Sequence, residues 1–163
     1  MKQENIHEFK RKNWIKSITK NPSKIKSLIE AAKLNSVVAK EMPLDDKHTT
    51  SIFREVYESI RQLGDALWLS NGYETQNHEV SLEILKEIEI KEKIKILSLD
   101  RFREIRHDAN YRGYLVSIEQ AKEILDFWDN CSEDIIKVIR EKNKEGEPEI
   151  KGKEAKEDET NSS

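Results

Sequence analysis

SIFREVYESIRQLGDALWLSNG, residues 51–72, is the stretch on which the fold turns. Ile52, Val56, Ile60, Leu63 and Leu67 recur at the three-to-four spacing that lines one face of an α-helix. Phe53, Tyr57 and Trp68 widen that stripe into a broad apolar face. The preceding PLDDKHTT supplies candidate caps, and Gly72 is a suitable left-handed stop.

Working outward, five glycines and three prolines leave few places to turn, and those places separate long apolar-periodic segments. A first helix is expected over residues 3–20, broken at Asn21-Pro22, with Ser23 capping a second that stops before Pro43. After the central stripe, Asn77 caps a shorter fourth helix holding Val80, Ile84, Leu85 and Ile88. A fifth starts near Glu92 and turns Ile94, Leu97, Phe102, Ile105 and Ala109 inward. Ser117 with Gln120 makes a capping box for the last helix, whose stripe is Ile118, Ala121, Leu125, Trp128, Ile135 and Ile139. Cys131 lies beside that stripe and reads as a core thiol. No strand-like alternation is visible. The expected fold is all-α, an antiparallel up-and-down bundle over residues 23–142. A basic helix over residues 1–22 precedes it, and a disordered charged tail over 143–163 follows.

Charge supports that division. The 163 residues carry a net charge of −3, all of it placed by residues 141–163; the body before them is balanced. Residues 1–26 hold eight basic side chains against two acidic ones. Such a patch attracts polyanions, although Lys12, Lys16 and Lys20 also read as one solvated helix stripe. The tail has too little apolar surface to offset the entropy of ordering it. No apolar run approaches bilayer length, no leader pattern opens the chain, and a single cysteine leaves no internal disulfide framework. A cytoplasmic protein without a membrane partner is expected.

Neither a glycine-rich phosphate loop, nor a paired-cysteine motif, nor a Gly-x-Ser-x-Gly elbow is present. Glu-x-x-His occurs twice, at Glu4–His7 and Glu104–His107, the spacing that di-iron bundles use. Glu4 and His7 fall at a terminus that frays, and Arg106 would put a cation beside a metal at His107. No metal site or cofactor is expected.

Chemistry concentrates instead in RFREIRHDANYRGY, residues 101–114, with four arginines, a histidine, an asparagine and two tyrosines. Arginine offers a planar fork of donors to phosphoryl oxygens, and histidine moves protons near neutral pH. At about 100° per residue, Arg103 and His107 share a helix face one turn apart. Arg101 diverges from His107 by about a third of a turn, and Arg106 points elsewhere. The same arginines also fit ion pairs with Glu104, Asp108 or a facing helix, as on any polar helix face.

The segment IFREVYESIRQLGDALWLSNGYETQNHEVSLEIL followed by RFREIRHDANYRGYLVSIEQAKEIL resembles the HEPN domain, a small helical bundle of prokaryotic toxin and nucleotidyltransferase-associated proteins. The resemblance covers about residues 25–140 and rests on the order of these runs, including R-x-x-R-x-x-A-N-Y over residues 103–111. It implies a homodimer in which like helices pair around a cleft. It also implies RNA or nucleotide as ligand and, in active members, metal-independent endoribonuclease chemistry of toxin type. Arg101 and His107 fit that family's arginine-to-histidine spacing and would be catalytic; Arg103, Arg106, Asn110 and Tyr111 would hold phosphate. Active members commonly carry a small polar residue after the arginine, where this chain has Phe102. They often carry a tyrosine two past the histidine, where it has Ala109. These departures leave open a catalytically silent, dimeric binding or antitoxin-like module, working with a nucleotidyltransferase partner.

Overall fold

The computed structural model describes residues 1–145. Five α-helices carry the architecture: α1 (Gln3–Arg11), α2 (Pro22–Glu41), α3 (Thr49–Ser70), α4 (Leu99–Tyr111) and α5 (Ile118–Lys144). Two three-residue strands, β1 (Ile15–Ser17) and β2 (Tyr73–Thr75), pair antiparallel with Ile15 opposite Thr75. Two 3₁₀ segments, His78–Glu87 and Lys93–Ser98, join β2 to α4. The fold is therefore an all-α bundle with a minimal ladder at one end. None of the helices described is long and apolar enough to cross a membrane.

The central helix α3 is buried along the predicted stripe, with Ile52, Phe53, Val56, Ile60, Leu63, Leu67 and Trp68 all but inaccessible. It packs against α2, α4, α5 and the first 3₁₀ segment. Trp68 donates its indole N–H to the Val80 carbonyl at 2.9 Å, so the largest core side chain leaves no polar atom stranded. Gly64 lets the first 3₁₀ segment come close. A Cβ there would lie 2.1 Å from the Ser81 carbonyl oxygen. Phe102 of α4 sits edge-on between Phe53 and Phe127, with ring centroids 5.9 and 5.7 Å away.

Several terminators act as their chemistry dictates. Gly72 and Gly113 adopt positive φ. Asn77 accepts from the Glu79 N–H at 2.9 Å. Ser117 and Gln120 form the reciprocal capping box. The second helix is capped by Asn21 rather than Ser23, with Pro22 in the first turn, where its missing N–H costs nothing.

Other expectations are corrected. The N-terminal helix does not run to residue 20. Asn13 takes φ 55°, the left-handed geometry asparagine tolerates, and the chain turns into β1. There Ile15 is drawn into the core and its backbone is paired with β2. Strands of three residues are too short to show alternation in sequence. The expected fourth helix is 3₁₀, with Val80, Leu82, Ile84 and Leu85 buried. The expected start near Glu92 is a second 3₁₀ segment. Its three-residue turn shifts the phase, burying Ile96 and leaving Ile94 and Leu97 75% and 77% exposed. At the far end α5 continues through Asn143 and Lys144, with Glu145 as its C-cap; the rest of the expected tail, residues 146–163, lies outside the described residues.

Candidate functional site

Helix α4 presents two faces. Leu99, Phe102, Ile105 and Ala109 are buried, which fixes how the polar residues point. Phe102 is thus a core residue, locked by Phe53 and Phe127. Arg54 of α3 donates to the Ala109 carbonyl at 2.8 Å, satisfying a carbonyl in the last turn where intrahelical partners run out.

On the outer face, Arg103 and His107 line one open groove of about 350 Å³ together with Glu79, Glu104, Asp108 and Arg112. Helical spacing anticipates that pairing. Arg101 does not line the groove. It leans toward α5 and makes a two-pronged ion pair with Glu123, one limb at 2.6 Å, which raises the guanidinium further above its ordinary range. Arg103 donates to Glu83 at 3.2 Å and to Asp100 at 3.0 Å. Arg112 lies 3.2 Å from Asp108, and His107 Nδ1 is 3.7 Å from the same carboxylate. The His107 and Tyr111 rings are tilted at 47° with centroids 5.0 Å apart, and Tyr111 is largely exposed. Asn110 is exposed.

The electrostatics are mixed. Three carboxylates line the groove against two guanidiniums. A phosphate would reach Arg103 and Arg112 only by displacing Glu83, Asp100 or Asp108. Exposed pairs of this kind contribute about 0.2–1 kcal/mol, so a dianion that takes two guanidinium forks can compete for them. Arg106 differs: among the described residues it pairs with no carboxylate within ion-pair distance, and its guanidinium sits 5.5 Å from the Tyr57 ring centroid.

A second polar cluster adjoins this one and was not read from the sequence. Arg61 donates to Glu58 at 2.9 Å and to Asp65 at 2.6 Å, and its Nη1 lies 3.1 Å from His78 Nδ1. Asp65 also accepts from Thr75 at 2.9 Å and from the buried Ser81 at 2.6 Å. The Arg61 hydrogen bond holds Glu58 below the usual carboxylate range, with Arg106 and His78 adding to the effect. Between the clusters stands Tyr57. Burial pushes its phenol up, while the guanidiniums of Arg106, Arg103 and Arg61 pull the other way. One guanidinium from α3 and two from α4 thus act on one tyrosine. The sequence signal was Glu58, Arg61 and Asp65, three ionisable residues on one strip of α3 beside its apolar face.

Among the described residues no group of three histidine, cysteine or acidic side chains is arranged to hold a metal ion; Glu4–His7 lies on α1 and Glu104–His107 on α4. Comparison of the chain with protein-family models, with curated proteins and with solved structures finds no match.

Proposed function

We propose that the outer face of α4 handles the phosphates of RNA or a nucleotide, and that the chain is a HEPN-type protein with metal-independent endoribonuclease chemistry. The observation that carries this reading is that Arg103 and His107 line the same groove, with Arg112 beside them. The order of sequence runs that resemble that family supports it independently. His107 takes the proton of a ribose 2′-hydroxyl, whose oxygen attacks the adjacent phosphorus. Arg103 stabilises charge building on the phosphorane oxygens. The imidazolium returns its proton to the departing 5′-oxygen, leaving a 2′,3′-cyclic phosphate and a 5′-hydroxyl. Arg106, Asn110 and Tyr111 contact the neighbouring backbone.

The test is incubation of the full chain with single-stranded RNA in excess chelator. Cleavage with cyclic phosphate ends is expected, abolished in His107→Ala and reduced about 10²–10³-fold in Arg103→Ala, the scale of one lost donor to a developing oxyanion. Unchanged cutting by His107→Ala would sink the catalytic claim.

A second reading is favoured by the Arg101–Glu123 pair, which occupies the arginine that the family's motif would use. In it the same face binds RNA, a nucleotide or a nucleotidyltransferase partner without chemistry. Saturable binding that weakens in Arg106→Ala, with no product over long incubation, is its signature.

A further inference from the structure

Helix α2 is apolar on two sides. Its inner stripe of Ile25, Ile29, Ala32, Ser36 and Ala39 is buried against the bundle. On the opposite side Leu34, Val37 and Val38 are 64%, 50% and 44% exposed. β-Branched residues are indifferent helix formers, so two adjacent valines in the solvent-facing turn are not explained by propensity. The outer strip continues in steps of three and four: Lys26 and Ser27, Glu30 and Ala31, Leu34, Val37 and Val38, then Glu41. N-terminal to the apolar centre the small Ser27 and Ala31 hold one edge of the strip, leaving room for a partner's larger side chain, and Lys26 and Glu30 hold the other.

We propose that this strip is a self-association surface, on which two copies of the chain pack α2 against α2, antiparallel, about a two-fold axis at Leu34. Charge selects both the occupant and the direction. A second antiparallel copy brings Leu34 onto its own counterpart, places Val38 over the small Ala31 and Ser27 of the partner, and lays Val37 along the stem of its Glu30. It also brings Lys26 within a turn of the partner's Glu41, and the symmetry repeats that pair at the other end. A parallel copy would instead set Lys26 beside Lys26 and Glu41 beside Glu41. Within one chain these charges are barely used. Lys26 reaches only Glu30, at 3.8 Å, and Glu41 has no ion-pair partner among the described residues. The spacing suits the shallow helix crossing that keeps two helices in contact over their length. That length matters, because a stable interface buries about 800 Å² per partner, more than three side chains supply. The twenty residues of α2 span about 30 Å. The strip shares no residue with the α4 groove, and the contact is distinct from the cleft-closing dimer that the family resemblance implies.

The experiment is sedimentation of the full chain over a concentration series, with circular dichroism to show that each variant keeps its helix content. Association is expected. Leu34→Lys should halve the limiting mass, Glu41→Lys should raise the dissociation constant of that step several-fold, and Lys26→Glu combined with Glu41→Lys should restore it, because exchanged charges re-pair across the axis. A chain that is monomeric throughout overturns the proposal. So does a dimer indifferent to Leu34→Lys but dissolved by substitutions at Tyr111 or Leu115, which would put the contact beside α4. Failure of the paired exchange to restore association overturns the antiparallel arrangement.

Discussion

At Gly64 two effects oppose each other, and their sizes decide the outcome. In a solvent-facing helix, alanine for glycine stabilises by about 0.5–1 kcal/mol. Here the added methyl would meet the Ser81 carbonyl at 2.1 Å, and that neighbour is backbone. Overpacking of this kind costs about 1–3 kcal/mol, and relieving it moves Ser81 off Asp65, which accepts its hydroxyl at 2.6 Å. Gly64→Ala is therefore expected to lower the midpoint of urea unfolding; an unchanged or higher midpoint would contradict the close approach. Single residues also mark how far sequence reaches. Arg103 and His107 share a groove because helical spacing puts them there, and that much is legible in RFREIRHDANYRGY. The partner of Arg101 is Glu123, twenty-two positions away on another helix. No local pattern encodes that contact.

Among the elements, the helices were the legible part, since Ile52 to Leu67 and Ile118 to Ile139 each repeat at helical spacing over several turns. The 3₁₀ segments were not. Their apolar residues fit an α-helical phase on paper, and only packing turned Ile94 and Leu97 outward. The ladder was missed for a different reason: its strands are too short to carry a period, and Asn13 alone signals the turn into it. Glu74 in β2 ties that end together, lying 2.9 Å from Lys16 of β1 and 2.6 Å from Lys24 of α2. Hydrogen bonds from Lys24 and Lys16 bring its carboxyl from the ordinary 4.5 down to about 2. A depressed folded value means that the stabilisation is present above the unfolded pKa and drains away as pH falls from about 4.5 toward 2. Between those limits the wild-type chain should lose stability more steeply than Glu74→Gln, as measured by chemical denaturation at successive pH values. Parallel curves for the two proteins would remove Glu74 from the account.

The whole molecule closes around Cys131. Its side chain is fully buried on α5, and burial pushes the thiol up to about 11. Near pH 8 a thiol reagent should leave the native protein unlabelled and react only as urea unfolds it, with labelling and loss of the helical signal following one curve. Labelling ahead of the helical transition would reveal that α5 parts from α3 before the bundle melts. The pairing of β1 with β2 has its own consequence for how the chain is made. Ile15 and Thr75 stand sixty positions apart, and α2 and α3 are the loop that joins them. On a ribosome β1 therefore waits without a mate until the central helix, the turn at Gly72 and β2 have emerged. A strand made early thus docks only once the segments that follow it have been laid down.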